Sequence, residues 1–223
     1  MSVVTTVARE ELLELRYNKG VLASVAIFAV IYTILPSTGG SDLALVFLVT
    51  LMGLYAAFGI SGQAFNQEKM SGSLETTFCG PVELRELWFG KIAGTLVPTM
   101  AVAYATMALF LVLRLARSAP IQVGLPAAIY IAAVLPALVA AFIGVMGFIQ
   151  LNFGVRQTRI LSTVSLVLII SMLTASMSLP LEGSLISWQT VAVLGITAAL
   201  LLTLPALLVN RLSKERIVVT SEA

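Results

Sequence analysis

Between Glu68 and Lys91 the chain places seven charged side chains in 24 residues: Glu68, Lys69, Glu75, Glu83, Arg85, Glu86 and Lys91. On either side, more than twenty residues pass without a charge, so any polar chemistry is concentrated here. The chemistry open to these residues is narrow. The chain has no histidine, which excludes His-ligated metal sites and Ser-His or Cys-His nucleophilic pairs. Its one cysteine, Cys79, has no partner for an intrachain disulfide and reads as an inert structural thiol. Gly90-Lys91 is not the end of a phosphate-binding loop, because Arg85 stands where the first glycine belongs and Ile92 follows the lysine. No catalytic residue and no metal site is expected. What remains is docking by a polar segment, punctuated by Gly72, Gly80, Pro81 and Gly90 and shaped for water.

Local signals give that segment two short helices. Ser71-Gly72 can open the first, with Glu75 in its first turn where a carboxylate favours the helix N-terminus. Gly80-Pro81 closes it, and Pro81 also suits the first turn of a second helix. Leu84, Leu87, Trp88 and Lys91 then share one face at helical spacing. The types of Trp88 and Lys91 suit the membrane headgroup level, one as an aromatic anchor and the other by snorkelling. The segment is therefore read as a short helix, a tight corner and an interfacial helix that feeds the next apolar run.

The elements that position it are set by composition. Of 223 residues, 59% are hydrophobic and 11% charged, with a mean hydropathy of +1.02; soluble domains carry about 25% charged residues. Six charge-free runs cover 20–41, 43–67, 92–113, 118–155, 160–181 and 183–210. Each is long enough to cross a hydrocarbon core about 30 Å thick, which takes about 20 helical residues. Val21–Leu35, Ile160–Met177 and Val191–Val209 show no polar face, as expected of helices whose solvent is lipid. The expectation is a single all-α membrane domain over 1–223 with six transmembrane helices at about 19–36, 43–65, 91–113, 125–149, 159–178 and 188–209. An amphipathic surface helix over 1–18, carrying Val4, Val7, Leu12 and Leu15 on one arc, precedes them. The chain before the first run carries Glu10, Glu11 and Glu14 and does not resemble a signal peptide.

Basic residues orient the spans. With the N-terminus in the cytoplasm, 11 of the 13 Lys and Arg residues fall on the cytoplasmic side, and only Arg114 and Arg117 fall on the other. Both termini and the loop at 66–90 are thus expected in the cytoplasm. The net charge of +2 gives no sign of nucleic-acid binding.

The loop also resembles the coupling loop of ABC-2-type transporter permeases, the membrane subunits of type V ABC exporters. Their pattern is Glu-(Arg/Lys)-x-x-Gly-(Ser/Thr)-Leu-Glu, then Pro, then Glu-Leu-x-x-Gly-Lys. Here the matching residues are Glu68-Lys69, Gly72-Ser73-Leu74-Glu75, Pro81, Glu86-Leu87 and Gly90-Lys91. Leu179-Pro180-Leu181-Glu182 is similar to an external turn of the same family, and Thr77 stands where leucine is usual. The resemblance implies that Glu68, Gly72, Leu74, Glu75, Pro81, Glu86, Gly90 and Lys91 form a coupling element seated in a cytosolic ABC ATPase. It further implies that ATP and Mg are bound by that ATPase and not by this chain. A second permease, identical or different, would complete the transporter in a prokaryotic cytoplasmic membrane.

Inside the spans, beyond Lys91 and Arg159 at the edges of the third and fifth, there is no full charge and so no sign of a proton relay or ion-coupled site. Tyr55 and Gln63 in the second span and Ser165, Ser171 and Thr174 in the fifth are candidates for a translocation path or dimer interface. These hydroxyls can equally bond their own helices. Such a weakly polar lining suits a hydrophobic or amphipathic substrate better than a sugar or ion. Gly53, Gly59, Gly62, Gly144 and Gly147 offer small surfaces for helix contact, and Pro98, Pro136 and Pro205 are expected kink points. Two other readings stay open. One is a membrane scaffold that binds a cytosolic protein without transporting. The other is an intramembrane enzyme, for which the spans supply almost no acid–base groups.

Overall fold

The computed structural model describes residues 5–10, 13, 23, 27, 29–30, 42–71, 84–117, 123–153, 155–177 and 187–209. Residues 5–10 are helical; the rest of the expected surface helix and most of the first expected span lie outside the described residues. Among the described residues five long helices follow. They are α1 (Asp42–Ser71), α2 (Leu84–Ala116), α3 (Leu125–Asn152), α4 (Val155–Met177) and α5 (Trp188–Val209). α1, α2, α3 and α5 each contain a stretch long and apolar enough to cross a membrane. The protein is an all-α, multi-pass integral-membrane bundle.

α1 is the central helix. Val49, Met52, Leu54, Ala56, Ala57 and Ile60 are all fully buried, and α2, α3 and α4 pack around it. α3 is the second hub, touching α1, α2, α4 and α5. Close approach of α1 and α3 depends on Gly53: a Cβ there would lie 3.2 Å from the Val139 side chain.

The outer helices show why no polar face was needed. On α5, Val191, Leu194, Ala198, Pro205 and Val209 face the bundle, while Val193, Ile196, Leu200, Leu204 and Leu207 face outward. Both faces are apolar, one packing against protein and the other against lipid. α4 repeats the outward pattern with Ile160, Val164, Val167 and Leu168.

The two longest of these helices, α1 and α2, outrun the hydrocarbon core by the most. α1 has 30 residues and α2 has 33, about 45 and 50 Å at 1.5 Å per residue, against a core of about 30 Å. α1 continues through Glu68, Lys69 and Met70 to Ser71, and α2 begins at Leu84. The helix expected to feed the third span is continuous with it and forms the first two turns of α2. Pro98 lies inside this continuous helix, as Pro205 does in α5.

α3 is irregular near its start. Residues Tyr130–Val134 form a π-helical turn, immediately before Pro136. The Leu135 N–H donates to the Tyr130 carbonyl, and Pro136 has no N–H to give. The widened turn is tied to α1 by a hydrogen bond between the Tyr130 hydroxyl and Thr50 Oγ1 at 2.9 Å. Thr50 spends its own proton on the Val46 carbonyl at 2.7 Å, so Tyr130 is the donor.

Candidate functional site

The charged stretch is held by its two flanks. Twelve residues, 72–83, lie outside the described set, and they include Gly72, Leu74, Glu75 and Pro81. Glu68 lies on α1, with its side chain outside the description. Of the remaining motif residues, Glu86 is half-buried, and Gly90 and Lys91 are buried.

Lys91 and Trp88 do not face outward as an anchor and a snorkelling side chain would. Both are fully buried inside the bundle, and the whole Leu84, Leu87, Trp88, Lys91 face turns inward. The Lys91 ammonium donates to the Ala64 carbonyl on α1 at 2.9 Å and lies 5.2 Å from the centre of the Phe65 ring. A carbonyl and an aromatic face together offset part of the cost of taking an ammonium out of water. The sequence reading missed this because Trp and Lys suit either a lipid boundary or a polar-lined notch. What decides is room on a helix more than fifty residues away.

That room is made by two glycines on α3. The Trp88 indole N–H donates to the Gly144 carbonyl at 3.3 Å, and a Cβ at residue 144 would lie 3.0 Å from the indole ring. One turn on, a Cβ at Gly147 would lie 2.5 Å from Phe65 Cζ. Thus α2 seats Trp88, and α1 seats Phe65, on adjacent bare patches of α3. Gln150, one turn further, is buried as well. The Trp88 ring also meets Phe89 edge-on, with centroids 4.9 Å apart.

The junction joins the end of α1, the start of α2 and the end of α3 in one packed unit. Among the described residues it presents no acid–base pair or nucleophile, and no group of three or more metal-ligating side chains occurs. What it can do is mechanical. Displacing the Leu84 end of α2 moves Trp88 and Lys91, and each is seated on another helix. Close-packed protein interiors have low compressibility and transmit strain.

The other candidates do not gather into a comparable cluster. Tyr55 and Gln63 are half-buried along α1. Ser165 donates to Met146 Sδ at 3.6 Å, linking α4 to α3. Ser171 faces outward and returns its hydroxyl to the Leu168 carbonyl of its own helix at 2.8 Å; the Thr174 side chain lies outside the description. Thr95 and Thr99 likewise bond back to α2, at Lys91 and Thr95 carbonyls. One buried cation escaped the sequence reading: Arg114, treated there only as an external charge, is 1% exposed and lies over the Phe110 ring. No protein-family model matches the chain, and neither a curated protein nor a solved structure matches it.

Proposed function

We propose that this chain is the permease subunit of an ATP-driven exporter, coupled through the stretch 68–91 to a separate cytosolic ABC ATPase that binds ATP and Mg. Two copies of such a permease, identical or not, would frame the path. The stretch and both termini would face the cytoplasm, in keeping with the bias of Lys and Arg. The weakly polar spans favour a hydrophobic or amphipathic cargo.

One observation carries this reading. The charged, glycine- and proline-shaped stretch ends in a helix keyed into two neighbours, through Trp88 on Gly144 and Lys91 on Ala64. A docking loop on a loose tether would take up a partner's motion; a loop on this junction would pass it to α1 and α3. Among the described residues the spans bury two cations, Lys91 and Arg114, and no carboxylate to form a proton relay with them, which favours a pump driven by another polypeptide such as an ATPase.

A scaffold that anchors a cytosolic protein would use the same loop without passing on motion. Purifying the tagged chain from its own cells separates the two. A co-purifying soluble P-loop ATPase, whose turnover rises with a hydrophobic solute in the bilayer, is the expected result. A partner of another kind, or an ATPase whose turnover never depends on the permease, would replace the exporter reading with the anchor.

A further inference from the structure

At the opposite end of α2 and α3 from the junction lies a cavity of about 380 Å³. Leu45 on α1, Met107 and Leu111 on α2 and Ile131 on α3 wall it, and Tyr104 contributes its ring and hydroxyl. Val123, Ala128 and Ala132, all exposed, lie at its mouth on the outer surface of the bundle, where the neighbour of a membrane protein is lipid. No charged side chain is among the described lining residues.

Among the described lining residues the cavity has one polar feature, made by the π turn. In a regular helix the Ile131 carbonyl would accept from the Leu135 N–H, but that N–H goes to Tyr130. The next N–H along would belong to residue 136, which is proline. The carbonyl is therefore released from the helix, and the Tyr104 hydroxyl donates to it at 3.2 Å. This is longer than the usual 2.5–3.0 Å range for an O–H donor, and a carbonyl oxygen has a second lone pair. A hydroxyl or amide entering the cavity would find both an acceptor and a phenol able to rotate to meet it.

We infer that this cavity is a binding site for a neutral amphiphile, a hydrocarbon chain with a single uncharged hydrogen-bonding head, that enters from the bilayer and takes the Ile131 carbonyl and Tyr104 hydroxyl as its anchor. An apolar pocket of a few hundred Å³ with one or two placed polar groups is the usual form of a small-molecule site. π turns recur at functional sites, and this one leaves a backbone carbonyl open to a ligand. An ionic head is disfavoured, since the lining would leave it unpaired in hydrocarbon. The site belongs to this chain alone and does not depend on an ATPase.

The test uses the full-length protein in lipid nanodiscs, without any ATPase, and a monoacylglycerol carrying a diazirine in its chain. Photolysis is expected to label peptides from 104–111 and 123–132, and unlabelled monoacylglycerol is expected to suppress it. Met107→Trp fills the cavity and should abolish the labelling, whereas Leu109→Trp, on the lipid face of the same helix, should leave it unchanged. Tyr104→Phe should weaken competition about five-fold, the share of one neutral hydrogen bond. Should Met107→Trp fail to fold, competition on the unaltered protein still decides: a fatty-acid anion or alkyl trimethylammonium of equal chain length must compete poorly. Labelling spread evenly over the lipid face, labelling indifferent to Met107→Trp, or equal competition by the ionic chains would overturn the assignment.

Discussion

At the scale of single residues, three glycines that look alike in the sequence have different work. Gly147 is a socket for Phe65, and Gly144 for Trp88, whereas a Cβ at Gly62 would meet no heavy atom within 4 Å. Gly147→Ala should therefore overpack the junction, because Phe65 is itself buried and its ring has nowhere to retreat; a loss of about 1–3 kcal/mol is expected. Gly62→Ala should be neutral or stabilise by up to about 1 kcal/mol, since alanine relieves the entropy cost of glycine in a helix. Unfolding of both variants in the same detergent, followed by circular dichroism, gives the comparison; equal effects would mean the sockets are not tightly filled. The sequence marked these glycines as small surfaces for contact. It could not say which receive a ring, because Phe65 and Trp88 come from other helices.

At the scale of elements, charge-free runs were a good guide to where helices lie and a poor guide to where they stop. α1 runs through Glu68 and Lys69, and α2 starts seven residues before Lys91, because helix formation tolerates charges that hydropathy counts as an end. Facing was also illegible: on α5 the inward and outward stripes are equally apolar, and only packing assigns them. The π turn shows the same limit. Pro136 signals an irregularity, but the partner of Tyr130 is Thr50, eighty residues earlier. That bond has a built-in asymmetry. Thr50→Val leaves the buried Tyr130 hydroxyl with no acceptor there, at a cost of about 1–3 kcal/mol. Tyr130→Phe leaves Thr50 still bonded to Val46 and should cost under about 1 kcal/mol. Combining the two should be no worse than Thr50→Val alone, a non-additivity that a double-mutant cycle measures directly. Additive losses would show that the two side chains act separately.

At the scale of the molecule, the two features sit at opposite ends of the same pair of helices. The junction of Phe65, Trp88, Lys91, Gly144 and Gly147 is at one end of α2 and α3, and the cavity at Tyr104 and Ile131 is at the other. From Ala132 to Gly144 is twelve residues of helix, about 18 Å. If the stretch 68–91 is cytoplasmic, Ser73→Cys in a Cys79→Ser background should react with an impermeant maleimide only in inside-out vesicles, and Ser118→Cys only in right-side-out ones. The reverse pattern would invert the topology and remove the loop from any cytosolic partner. Composition made the multi-pass helical character legible, while the buried roles of Trp88 and Lys91 were set by tertiary contacts that no local pattern encodes.

The resemblance that names a partner rests on residues 68–91, and its sharpest point is Glu75, in the expected first turn of the docking helix. The decisive measurement is ATP turnover and solute transport by this chain, carrying Glu75→Arg, in complex with the ATPase proposed to co-purify with it. Such a variant should keep the helical content and thermal stability of the parent, while stimulation of turnover and transport uncouple from each other. Transport at the parental rate by Glu75→Arg, with the ATPase still bound, would contradict a coupling role for the stretch.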